Sequence, residues 1–556
     1  MENLNIKKIT IAALAFGLAH SQIINTVSSG GAVPLTTSYL PTTTSYSTSS
    51  NSVPTTASYS NSYSTPSIPT VANNVILGAS NYVNGDVNQV VGNTNALVGS
   101  GNLVQGSTNT VLGNSNLLSG NLNQVAGTYN TVAGNQNLVQ GISNNLYGNQ
   151  NVVSGAANTV AGSVNAVSGV QNTVVGNGNA AVGTQNTVVG NVNTAVGTNN
   201  YIQGNANSAL GISNTLLGTG NLVSGGYNTV AGTSNAVSGG YNTVAGISNG
   251  VTGGYNLVTG VQNAVAGNGN TVAGTVNTVG GNLNSVYGTA NNVYGTSNAV
   301  LGTSNNVAGL SNGVAGTQNN VVGGYNAVVG SLNNVGGTYN NVVGSINTVT
   351  GTANNVNGNL NLVGGLQNNV VGSSNGVYGT ANTVLGNQNG VIGTANTVGG
   401  SLNTVAGLQN TVLGTQNAVQ GTVNTVVGGG NTVSGAFNYA QGNLNQLYGL
   451  NNTVIGSANT VAGVSNDVLG NANLAVGSGN AVVGNLNTVV GNINSVIGQT
   501  NTVSGSGNFV NGTGNVVVSS NLRTNWWKFF LNLIICTIYF LFHSYLFSIP
   551  LNFRFL

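Results

Sequence analysis

From Asn74 onward, one pattern of polar and apolar positions recurs every seven residues: Asn, a variable residue, Val, a variable residue, Gly and two more variable residues. No insertion or deletion interrupts it between the unit at Asn74 and the unit at Asn508, which makes 63 complete heptads in phase. Asn opens every unit and Gly fills every fifth place; the third place is Val in 51 and Ile, Leu or Ala in the other 12. A degenerate further unit begins at Asn515 and carries Ser519 where the Gly would stand. The triads Asn74, Ile76, Gly78; Asn130, Val132, Gly134; Asn242, Val244, Gly246; and Asn508, Val510, Gly512 represent the candidate structural residues.

A period of seven is also that of a coiled coil, which needs two apolar positions per heptad, good helix formers and flanking charges. Here each heptad holds one apolar place and an obligatory Gly, and a mid-helix Gly costs about 1 kcal/mol relative to Ala. A short strand accounts for the pattern instead. Residues two apart share a face, so Asn and Val point inward together and the residues beside Val point out. Gly allows a tight corner without a Cβ, and Asn amides stacked in successive coils form a hydrogen-bonded ladder. Proline is missing from the array, as expected where each strand donates hydrogen bonds to a neighbour. The pattern predicts an all-β, parallel β-solenoid (a β-roll or β-helix) over residues 74–518. Two heptads per coil are favoured over three, because Gly-Gly-Tyr recurs every fourteen residues at Tyr227, Tyr241 and Tyr255. One heptad cannot fold alone: ordering its seven residues costs about 1–2 kcal/mol each, more in sum than the about 1.5–3 kcal/mol that one buried Val returns, so stability is collective.

Composition then removes most kinds of chemistry. The 556 residues include five Lys or Arg, three Asp or Glu and two His, for a net charge of +2. The stretch from residue 22 to residue 520 has no Lys, Arg, Glu, His or Cys, and only Asp86 and Asp467 carry charge there. General acid–base and nucleophilic catalysis need tuned titratable pairs, and metal sites need His, Cys or clustered carboxylates. Nucleic-acid binding needs a basic surface. The sequence therefore predicts a non-enzymatic chain with no catalytic, cofactor-binding or metal residues, no cofactor and no nucleic-acid partner. Asp86 and Asp467 read as solvated surface positions.

The ends differ from the array. Residues 1–21 read as a signal peptide, with Lys7 and Lys8 before the apolar run Ile9 to Ala19. Residues 22–73 form a Ser/Thr/Tyr/Pro-rich linker with five of the six prolines. In the tail, 519–556, Phe529 to Phe547 is long and apolar enough to span a bilayer. It also fits a lipid-anchor signal, or an artefact of gene prediction. The expected location is extracellular or at the cell surface, with membrane contact only through this tail.

The run Asn179 to Gly197 (NAAVGTQNTVVGNVNTAVG) resembles the head repeats of YadA-like trimeric autotransporter adhesins and related haemagglutinin-type β-rolls. That resemblance, over residues 74 to about 518, implies a β-roll and surface adhesion but transfers no binding residue. The leading expectation is a structural or adhesive surface rod, with surface glycans, matrix proteins or further copies of itself as partners. An ice-binding solenoid is the alternative, since Thr fills the second place in 22 of the 63 units. A self-assembling, amyloid-like matrix protein is the third, favoured by low charge and many Asn.

Overall fold

The computed structural model describes residues 73–522. The expected signal peptide, nearly all of the expected linker and the apolar tail lie outside the described residues. Within them every heptad contributes one strand of three or five residues, from Val75–Leu77 to Val516–Val518. Strands alternate between two parallel sheets of 32 strands each. Pairing always joins a residue to the one fourteen places on, as in Thr215 with Thr229 and Thr229 with Thr243. One coil is therefore two heptads, and the solenoid has about 32 coils. At about 4.8 Å per coil the stack is about 150 Å long. The first sheet begins with Val75–Leu77 and the second with Tyr82–Asn84.

The core is a double column of third-place side chains. Each strand turns its second residue, the third place of the heptad, and the preceding Asn inward, so Val132, Val244 and Val510 are buried, as are Asn130, Asn242 and Asn508. Ile76 is 44 % exposed because its coil is the first of the stack and has a neighbour on one side only. At some of the positions where Val is replaced, small and large residues alternate across the roll. Ala195 and Ala209 in the second sheet are each followed in the first by Ile202 and Leu216, and Ala440 in the first by Leu447 in the second. This keeps interior volume nearly constant, as close packing demands.

The buried Asn would be costly without partners, and the ladder supplies them all. The Asn242 side chain donates from Nδ2 to Asn228 Oδ1 (3.0 Å) and to the Gly253 carbonyl (2.8 Å). Its Oδ1 accepts from the backbone N–H and from Nδ2 of Asn256, both at 3.0 Å. Two donors and two lone pairs are thus satisfied. Because Gly253 lies in the corner that leads to Asn256, each amide also clamps the corner of the next coil.

Two left-handed positions make that corner. Gly246 has φ +135°, and a Cβ there would overlap the Gly260 carbonyl oxygen directly above it. Gly is needed for close stacking as well as for its φ. The seventh place is also left-handed, near φ +60°, and it accepts ordinary residues, including Val192 and Ile493. A β-branched residue is strained in this region. Its conformation is held by an intercoil bond: the Val192 N–H donates to the Asn177 carbonyl at 2.9 Å.

Candidate functional site

With Asn, Val and Gly committed to the interior and the corners, the outward second and fourth places of each strand carry the chemistry the surface can offer. They form two columns on each sheet, repeating at the coil spacing along the axis and at two residues across it, about 6.6–6.8 Å. Among the described residues no three His, Cys, Asp or Glu approach one another closely enough to hold a metal ion. Asp86 sits beside a corner of the second sheet, and Asp467 is in the second-place column of the first sheet.

The two faces differ. In the first sheet Thr forms unbroken runs in the second-place column: Thr159, Thr173 and Thr187; then Thr215, Thr229 and Thr243; then four from Thr383 to Thr425. In the second sheet no Thr run in this column exceeds two coils, as at Thr488 and Thr502. The second face is also uneven. Between Leu222 and Thr278 this column drops to Ala236, Gly250 and Ala264, leaving a shallow trough of about 510 Å³ that Tyr294, in the fourth place, also lines. Beside the first sheet's Thr runs stand Val175, Val189, Leu217, Leu413 and Val427 in the fourth place. Along these Thr runs the face is thus an uncharged lattice of hydroxyls and methyls held by a rigid ladder, and its one carboxylate, Asp467, stands in the row after Thr453.

Two rows of the first sheet depart from this lattice in the same way. Tyr201 donates its hydroxyl to Gln203 Oε1 at 3.1 Å, and Tyr439 does so to Gln441 Oε1 at 2.8 Å. Burial raises the Tyr439 phenol above its ordinary value. Between these rows, from Ser285 to Asn369, the column holds Ser, Ala, Gly and Asn. Asn341, Asn355 and Asn369 there join their amides along the axis at 2.9 Å. A further ladder lies on a corner, where the rings of Tyr227, Tyr241 and Tyr255 stack at 4.8 Å.

The candidate residues named from the sequence are all scaffold: the four triads line the interior or the corners. The pattern by which the faces differ was in the sequence, since 22 second-place Thr could be counted. It becomes visible only when the heptads are sorted alternately into two sheets.

A model of the grass antifreeze β-roll family matches residues 53–148, 113–204, 175–267, 205–295 and 372–456. These overlapping segments together cover more than half of the chain. No curated protein matches the chain. The match corrects the resemblance to adhesin heads: the β-roll architecture stands, but the repeats belong with antifreeze rolls rather than with YadA-like or haemagglutinin-type heads. Asn, Val and Gly in this order serve any fourteen-residue parallel roll, so the shared triad reports the scaffold and not its use.

Proposed function

The chain belongs to the grass antifreeze β-roll family, and from that premise we propose that it binds ice through the outward face of the first sheet, as a non-enzymatic, extracellular or surface repeat protein. The observation that carries this reading is the set of unbroken Thr runs on that sheet, paired Thr to Thr in register at the coil spacing. Each Thr presents a hydroxyl that can hydrogen-bond water and a methyl that cannot, on strands whose backbone groups are already paired within the sheet. A face of this kind holds water in a fixed lattice without the ordering cost that a flexible surface would incur on binding. Absence of charge along the Thr runs suits the same end, since no ionic group within them imposes its own hydration shell. A structural or adhesive surface rod uses the same scaffold but gives no reason for Thr to form runs of three and four coils on one sheet and not on the other.

The test is inhibition of ice recrystallisation, with thermal hysteresis, by the full chain. Activity is expected in the wild type. It is expected to fall in Thr229→Lys with Thr243→Lys on the first sheet, and to persist in Ala236→Lys with Ala264→Lys on the second. A wild-type chain without effect on ice would overturn the reading, and equal loss in both variants would overturn the choice of face.

A further inference from the structure

The Thr runs of the first sheet do not make one continuous surface. They lie in two tracts, one from Thr159 to Thr271 and one from Thr383 to Thr453, and the stretch between them has none in that column. The tracts share a motif, although Leu257 also interrupts the first between Thr243 and Thr271. In each, Thr runs up to a Tyr row, passes it, and resumes: Thr173, Thr187, Tyr201 and Thr215 in the first; Thr411, Thr425, Tyr439 and Thr453 in the second. Tyr201 and Tyr439 are 238 residues apart, which is seventeen coils of fourteen, and each is tied to the Gln two places on. The same Thr–Tyr–Thr order with the same Tyr–Gln bond, at a whole number of coils, marks one motif present twice.

The intervening rows are different in kind. Their outward groups are short, as at Ala299, Gly313 and Ala327, or are amides such as Asn341, Asn355 and Asn369 whose Nδ2 and Oδ1 face one another along the axis. An amide satisfied by the next amide has less to offer water than a free hydroxyl, and these rows lack the Thr methyls. The family match covers both tracts, within 53–295 and 372–456, and omits residues 296–371, although it also takes in the coils before Thr159.

We infer that the first sheet carries two separate ice-binding surfaces of related design, each a Thr tract that contains one hydrogen-bonded Tyr–Gln row, joined by an amide-laddered spacer that does not bind. This rests on the ice-binding reading above and adds the number and bounds of the sites. Their Tyr rows are about 80 Å apart along the axis at 4.8 Å per coil, so each tract meets the ice surface as its own site.

The experiment compares four full-length variants with wild type by recrystallisation inhibition and thermal hysteresis. Thr173→Lys with Thr187→Lys blocks the first tract, Thr411→Lys with Thr425→Lys blocks the second, a third variant combines both pairs, and Ala327→Lys with Asn341→Lys marks the spacer. Each single-tract variant is expected to keep about half of the wild-type activity, the combined variant almost none, and the spacer variant all of it. Loss of all activity in either single-tract variant, or a loss in the spacer variant equal to theirs, would overturn the two-site arrangement. Inactivity of the wild type would instead overturn the ice-binding reading itself. Thr→Ala at the same four tract positions guards against misfolding, because Ala is native to this column at Ala299 and Ala327. The same ordering among the Ala variants supports two sites, and a different ordering counts against them.

Discussion

Two asparagines eight residues apart allow the buried ladder to be weighed against an exposed one. Asn284 is 1 % exposed. It donates to Asn270 Oδ1 at 3.0 Å and to the Gly295 carbonyl at 2.9 Å, and it accepts from the backbone N–H and Nδ2 of Asn298, both at 3.0 Å. Asn292 lies on the outward face and donates to Asn306 Oδ1 at 3.1 Å. Replacing Asn284 with Ala deletes these four side-chain hydrogen bonds, worth about 1 kcal/mol each net, together with a longer one to the Gly280 carbonyl at 3.4 Å. It also strands the Asn298 N–H where water cannot easily reach, which brings the expected cost to about 5 kcal/mol. Asn292→Ala removes one water-exposed bond, and its expected cost is about 0.5 kcal/mol or less. The assay is native-state hydrogen exchange read on peptides spanning residues 270–305, because coils of a solenoid open locally. At about 1.4 kcal/mol per decade, Asn284→Ala should speed exchange there by about three orders of magnitude, and Asn292→Ala by less than tenfold. Equal protection in the two variants would refute the claim that the inward amides hold the coils together.

Three other outcomes follow from the corners and from the one shifted phenol. Gly246→Ala places a Cβ against the Gly260 carbonyl at φ +135°; it should cost more than about 3 kcal/mol and open a protease-sensitive break at that coil. Val192→Asn keeps the left-handed corner but removes a β-branched residue from φ +59°, so it should raise stability by about 1 kcal/mol in urea unfolding. Tyr439 holds its proton more tightly in the folded chain because burial disfavours the phenolate. Its contribution is complete below the unfolded value near 10 and is lost as pH rises through the higher folded value; ultraviolet titration against Tyr439→Phe should show this phenol ionising late.

The solenoid was legible because three physical demands fall on three fixed places. Val244 must fill a core one side chain deep, Asn242 must satisfy its own buried amide through identical neighbours, and Gly246 must pass beneath a carbonyl oxygen. Each demand admits almost one residue type, so it is written into composition and spacing. The fourteen-residue coil was legible through Tyr227, Tyr241 and Tyr255, whose rings do stack. The seventh-place conformation was not. Ser, Gln, Val, Leu and Tyr all occupy it at φ near +60°, because an intercoil hydrogen bond enforces the backbone whatever the side chain, and no residue preference records it. The functional face was only half legible, since its Thr could be counted but not assigned to a sheet until the coil was known.

The same separation explains how such a chain can change its surface without losing its fold. An outward side chain such as Thr229 or Asn341 contributes little to the stack, because strand pairing, the Asn ladder and the Val column are complete without it. Cross-strand pairs on an exposed face are worth about 0.2–1 kcal/mol, against about 5 kcal/mol reckoned above for a ladder Asn. Substitution in the outward columns is therefore nearly free, and gain or loss of whole coils preserves register because every coil presents the same ladder to the next. Two Thr tracts with matching Tyr–Gln rows, seventeen coils apart, are the arrangement that such a scaffold permits: a face written in tolerant positions and repeated in units of fourteen. An array whose faces helped to hold the fold would resist a break like the one from Ser285 to Asn369, where the column changes character while the pairing register continues unaltered.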